Sequence, residues 1–314
     1  MKKRVISKTL ASIHNNLCDS IDDEKTRTLV SKNTVITGGC ITSMLLQEKV
    51  NDYDLYFRNR ETALAVAEYY VKKFKQLKNE MNADLKPGEP RQFIPEMYVE
   101  DLNDRVSIKV KSSGATGLSG VSPLTGSETV DVNSDPDEVE PSEETKMALE
   151  RLSKRGKHLP VMITGNAISL SGRIQLVIRF YGEPSEIHEN YDFVHVTNYW
   201  TSWDREVVTN TAALECILAR ELKYVGSLYP ICSLIRVRKY VKRGWTVHAG
   251  QILKIAHQIS KLDLDNFSVL EDQLAGVDVA YFAEVIAAMK DKVKDGDRIE
   301  SAYLAELIDK LIEG

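Results

Sequence analysis

The residues best suited to do chemistry are two aspartates one residue apart, in Asp52-Tyr53-Asp54-Leu55-Tyr56-Phe57. Side chains alternate along an extended strand, so Asp52 and Asp54 share one face while Tyr53 and Leu55 take the other. Carboxylates side by side repel at neutral pH, and a divalent cation between them offsets that repulsion. Twelve residues separate them from the run Val35-Ile36-Thr37-Gly38-Gly39. A glycine pair lets a backbone approach a phosphate closely and point its N–H groups at it. The order strand, glycine turn, short helix, acidic strand predicts a metal-dependent site for a nucleoside triphosphate.

Positioning these residues requires a sheet with helices on it. Residues 1–32 carry Val5, Leu10, Ile13, Leu17 and Ile21 at helical spacing. Strand Val35–Thr37 follows, and then a helix over Cys40–Lys49 with Ile41, Met44 and Leu45 inward. After Phe57 a second helix carries the stripe Ala63, Val66, Ala67, Tyr70, Val71 and Phe74, lasting to about Lys78. Val106–Val110, Val161–Leu170, Ile174–Phe180 and Tyr191–Tyr199 read as strands, with a hairpin at Ser171-Gly172. The stretch 112–144 is rich in Ser, Gly, Pro, Asp and Glu, too polar to offset its ordering entropy, and reads as an acidic surface insertion. From 204 onward the pattern is helical, over 205–225, 229–243, 248–261 and twice more between 276 and 313. The expected fold class is α+β: an N-terminal helical segment 1–32, a mixed α/β domain 33–203 and a helical domain 204–314.

The chain of 314 residues has a net charge of −5 and 43% hydrophobic residues, so any nucleic-acid contact must use a local basic patch. No apolar run approaches the roughly 18 residues of a membrane span, and no signal-peptide core follows the N-terminus. Cys18, Cys40, Cys216 and Cys232 are scattered without metal spacing. Reduced thiols in a cytoplasmic protein are expected. No Gly-Lys-Ser/Thr phosphate loop occurs, which argues against P-loop chemistry.

Gly38-Gly39, the spacer and Asp52-Tyr53-Asp54, with a later carboxylate in Tyr191-Asp192-Phe193, resemble the polymerase-β-like nucleotidyltransferase superfamily, which includes CCA-adding enzymes and poly(A) polymerases. The segment from Gly182 to Trp200 also resembles bacteriophage-encoded proteins with this domain. The resemblance covers roughly 33–200. It implies a nucleotidyltransferase head and a helical domain behind it. Mg²⁺ or Mn²⁺ would be held by the catalytic Asp52, Asp54 and Asp192. The triphosphate, ATP or CTP, would lie against Gly38, Gly39 and the hydroxyls of Thr42 and Ser43. A nucleoside monophosphate would pass to an acceptor, foremost an RNA 3′ end. Where CCA-adding enzymes carry Arg-Asp after the glycines, this chain has Cys40-Ile41-Thr42-Ser43, which leaves nucleotide and acceptor choice open.

A second constellation is Ser233-Leu234-Ile235-Arg236-Val237-Arg238-Lys239-Tyr240-Val241-Lys242-Arg243. On a helix Arg236, Lys239 and Arg243 fall on one face, opposite Leu234, Val237 and Val241, and would present a basic ridge to phosphate. Strand alternation places His195 away from Asp192, as a structural histidine, and puts Asn198 and Trp200 on the aspartate's side. Two alternatives stay open: nucleotidylation of a protein hydroxyl, and a non-catalytic binding protein that keeps the fold.

Overall fold

The computed structural model describes residues 1–85, 91, 93–102, 105–111, 115–117, 155–264, 266–274, 303 and 306. They form two compact units. The first takes the described parts of Met1–Thr129, Val139–His188 and Asn198–Val208, and the second those of Glu189–Thr197 and Thr209–Gly314. The N-terminal helices therefore belong to the first unit instead of standing apart. Of the expected insertion only Ala115–Gly117 is described, as a strand. The two helices expected between 276 and 313 lie outside the described residues, save 303 and 306.

The N-terminal periodicity resolves into α1 (Lys3–Asp19) and α2 (Glu24–Asn33). The break comes where the Asp23 carboxylate accepts from the Thr26 N–H at 2.7 Å, an N-cap serving a donor that has no helical partner. α1 turns Ile6, Leu10, His14, Leu17 and Cys18 inward and leaves Val5 exposed, one residue off the expected stripe. α3 (Gly39–Leu46) joins β1 (Thr34–Thr37) to β2 (Tyr53–Phe57). α4 (Arg60–Ala83) buries the expected stripe and extends it to Leu77.

One eight-stranded sheet runs β10-β9-β1-β2-β8-β7-β6-β5. Its remaining strands are β5 (Ala115–Gly117), β6 (Pro160–Thr164), β7 (Ala167–Leu170), β8 (Ile174–Tyr181), β9 (Tyr199–Thr201) and β10 (Val207–Val208). A separate antiparallel pair is made by β3 (Met97–Asp101) and β4 (Val106–Val110). β2 and β8 are parallel, and the other neighbours of the large sheet are antiparallel. The expected single strand Val161–Leu170 splits into β6 and β7, because the Thr164 hydroxyl accepts from the N–H groups of Asn166 and Ala167 and turns the chain. The hairpin at Ser171-Gly172 forms as expected, with Leu170 paired to Ile174. Ile36, Leu55, Phe57, Ile168, Leu176 and Ile178 from the sheet pack in one core with Ile41 and Met44 of α3 and the α4 stripe. Each such fully buried side chain contributes roughly 1.5–3 kcal/mol. The first unit also holds the short α5 (Pro184–His188).

Tyr191–Tyr199 is not a strand. Phe193 makes one isolated bridge to Tyr224, a 3₁₀ turn covers Val194–Val196, and extended pairing starts only at Tyr199. Phe193, Val194, His195 and Val196 are all buried. A turn that buries every side chain suits such a run, whereas a strand with one solvated face does not.

In the second unit α6 (Thr211–Ala219), α7 (Pro230–Lys242), α8 (Ala249–Ile259) and α9 (Phe267–Leu274) accompany a parallel pair of β11 (Glu221–Leu222) and β12 (Thr246–Val247). The expected helix 205–225 shortens to α6, because β10 and β11 use its flanks and Asn210 caps its start on the Ala212 N–H at 3.0 Å. Among the described residues no helix is long and apolar enough to cross a membrane.

Candidate functional site

Sheet register gathers the first constellation at one end of the first unit. Thr37, the last residue of β1, pairs with Asp54 of β2, so the turn at Gly38 lies level with the Asp52-Tyr53 end of that strand. Asp52 and Asp54 are both half-buried, while Leu55 between Asp54 and Tyr56 sinks into the core. Gly38 has φ +93° and ψ −155°, a conformation that L side chains avoid. It is the N-cap of α3, so the free N–H groups and positive dipole end of that helix open at the turn. A methyl group built on Gly39 would meet no atom within 4 Å. The first turn of α3 and the two aspartates thus lie together at one end of the sheet.

The rest of the predicted set divides. Thr42 and Ser43 are buried in α3. The Cys40 thiol is buried beneath the site; burial, then the charges of Asp54 and Asp52, hold its pKa well above the usual thiol range. It is therefore a neutral, buried packing group. Trp200 is not a cleft residue: it is fully buried in the core, its ring 5.4 Å from that of His14. Asn198 is also buried, and its carbonyl oxygen accepts from the Thr37 hydroxyl at 2.9 Å. His195 is structural, its ring 4.5 Å from those of Tyr240 and Trp245.

Asp192 belongs to the second unit and has partners there. Its Oδ2 accepts from Ser233 Oγ at 3.0 Å and from Arg236 Nη1 at 2.7 Å. Ser233 and Arg236 stand three apart on α7, on one helix face. The expected basic ridge is corrected accordingly. Arg236 turns toward the buried Asp192, because a carboxylate taken out of water needs a charged partner. Val237 is buried as expected, together with Ile231 and Cys232, but Leu234 and Val241 are 44% and 46% exposed. Lys239 is exposed, and the Arg243 guanidinium lies over the Tyr240 ring at 5.6 Å. Asp192→Ala would take this carboxylate from both Ser233 and Arg236. We expect a loss of about 3 kcal/mol in urea unfolding; a loss below about 1 kcal/mol would remove this anchoring role.

Three further residues, Thr37, His188 and Gln175, stand at this end of the sheet. His188 Nε2 lies 2.8 Å from Thr37 Oγ1, and its ring is 5.7 Å from that of Tyr199. The Thr37 proton goes to the Asn198 carbonyl, so the network assigns Nε2–H as the donor to Thr37. Desolvation lowers the His188 pKa to about 4, so the ring is neutral at pH 7. The third residue is Gln175, the β8 partner of Asp54. Its signal was legible: it is the one polar residue in Ile174-Gln175-Leu176-Val177-Ile178.

A family model described as "Gabija anti-defense 2 family protein" matches residues 8–220 of the chain. "Gabija anti-defense 2" of Bacillus phage SPbetaL7 is 19% identical over 301 residues, covering 95% of this chain and 53% of the relative. The chain thus spans about half the length of that relative. Two solved structures are similar in part. The Thermotoga maritima CCA-adding enzyme complexed with tRNA has a TM-score of 0.38 at 11% identity, over 90% of this chain and 54% of that one. The Bacillus stearothermophilus CCA-adding enzyme in complex with CTP has a TM-score of 0.35 at 10% identity, over 86% and 50%.

Proposed function

The chain belongs to the Gabija anti-defense 2 family, and from that premise we propose that it counters Gabija defence as a metal-dependent nucleotidyltransferase. It would move a nucleoside monophosphate from a nucleoside triphosphate to an acceptor in the cytoplasm. The observation that carries this reading is the register of β1 on β2, which sets the Gly38-Gly39 turn and Asp52 and Asp54 at one end of the sheet.

The donor set suits a hard divalent cation. Asp52 and Asp54 supply oxygen ligands from one side of a strand, as Mg²⁺ or Mn²⁺ prefers, and the nearby Cys40 stays a thiol. When bound, the ion would neutralise the triphosphate and lower the pKa of the attacking hydroxyl. The chain's own groups do the rest. The N–H groups at Gly39 and the first turn of α3 hold phosphate oxygens, and the absent side chain at Gly39 leaves them room. Thr37, tied to Asn198 and His188, fixes the turn next to Asp54. RNA is the first acceptor proposed. A protein hydroxyl is the second, favoured by the chain's net charge of −5.

The test incubates the protein with Mg²⁺ and each labelled nucleoside triphosphate, with RNA and with protein extract. Label on RNA is the expected result; label on protein would move the acceptor class. Gly39→Ala is the informative variant. Its methyl group meets no protein atom, and alanine favours helix by about 0.5–1 kcal/mol, so folding is retained. Nucleotide affinity should nevertheless fall, on the order of tenfold, because the methyl group occupies the phosphate's space. Unchanged nucleotide binding in Gly39→Ala, with no transfer to either pool, would sink the reading.

A further inference from the structure

On the face of the sheet opposite the core, the register lines up one polar row: Tyr199 of β9, Thr37 of β1, Asp54 of β2, Gln175 of β8 and Ser169 of β7. Cross-strand partners point to the same face, about 5 Å apart. Ile174 and Leu176, on either side of Gln175, are buried in the core, so the amide side chain projects beside Asp54. A side chain here stands one strand away from Asp54, close enough to act on what that carboxylate holds. The chain has a neutral amide there. Among the described residues no group of three or more His, Cys, Asp or Glu is placed to hold a metal ion.

We propose that the site takes one divalent cation and that the Gln175 amide donates to a phosphate oxygen of the bound nucleotide. This rests on the nucleotide-site reading above. Two carboxylates suffice to hold one divalent ion, which takes its other ligands from water and substrate phosphates. An amide adds no charge to hold a second, and its NH₂ offers two donors that a carboxylate lacks. The group within its reach is the phosphate on the ion held by Asp54. Gln175 thereby reads the triphosphate without binding the cation, and Ser169 continues the polar row away from Asp54.

The test is Mn²⁺ binding followed by electron paramagnetic resonance, with and without a non-hydrolysable ATP analogue. Wild type should take one Mn²⁺ per chain. Gln175→Glu, nearly the same in shape, should tighten Mn²⁺ at least tenfold or add a second ion. Gln175→Met should leave Mn²⁺ affinity without nucleotide unchanged and weaken the analogue by about fivefold, the scale of one lost hydrogen bond. Two Mn²⁺ in the wild type, or a Gln175→Glu variant that binds metal like wild type, overturns this proposal alone. No Mn²⁺ in the wild type, and none gained with the analogue, overturns it together with the nucleotide-site reading.

Discussion

Asp54→Asn should abolish metal-dependent nucleotidyl transfer while leaving the protein at least as stable as the wild type without metal. The rate loss expected is about 10²–10³-fold, the range for removing one pre-organised group that stabilises developing charge. Asparagine keeps the shape and one oxygen but removes the charge that compensates a divalent ion. Stability is expected to move the other way, because Asp52 and Asp54 stand only two residues apart and like charges that close repel. Replacing one relieves that repulsion. A site that costs stability in return for function is the general pattern for charged clusters of this kind. Thermal unfolding in EDTA and transfer assays in Mg²⁺ should therefore diverge. A variant that transfers at the wild-type rate removes Asp54 from the chemistry, and one that unfolds at a lower temperature makes it a structural carboxylate.

The second large effect is on acid stability and concerns His195. Its ring is fully buried among Phe193, Tyr240 and Trp245. Desolvation lowers its pKa to about 3, against a smaller opposing effect of Asp192. Above pH 6.5 the imidazole is neutral in both folded and unfolded states, and stability is insensitive to it. Between pH 6.5 and about 3 the unfolded chain carries a proton that the folded chain refuses, so stability falls as pH falls. Below that window both states are protonated and the loss is complete, at up to about 5 kcal/mol. His188 adds to the same limb down to about pH 4, by less because it is partly exposed. Urea unfolding followed from pH 7 to pH 4 should show this slope. His195→Phe keeps an aromatic ring in the cage and removes the titration, so its slope should flatten. An unchanged slope would place the acid sensitivity elsewhere.

Much of the candidate site was legible because its signals are local. Gly38 needs a positive φ, so no other residue type serves that turn well, and the residue identity announces the geometry. The spacing of Asp52 and Asp54 is plain in the sequence, although β2 begins only at Tyr53, and the α4 stripe from Ala63 to Phe74 reads correctly because 3.6-residue periodicity is a property of one element. The misreadings share the opposite cause. The run Phe193–Val196 is buried throughout, His195 included, so no solvated face separates a strand from a tight turn. Arg236 looked like part of an outward ridge, since nothing in α7 reveals that a buried carboxylate forty-four residues away would claim it. Leu234 and Val241 looked buried for the same reason.

The α+β order of elements, the glycine turn and the spacing of the acidic pair are local properties, because each follows from backbone sterics or residue spacing within a few positions. Which side chains stand beside them depends on long-range packing. Strand order is set by pairings between distant segments, and those brought β8 next to β2 and so put Gln175, not a carboxylate, beside Asp54. The same long-range packing gave Asp192 to Ser233 and Arg236, since a buried charge is matched by whichever donors the fold carries to it.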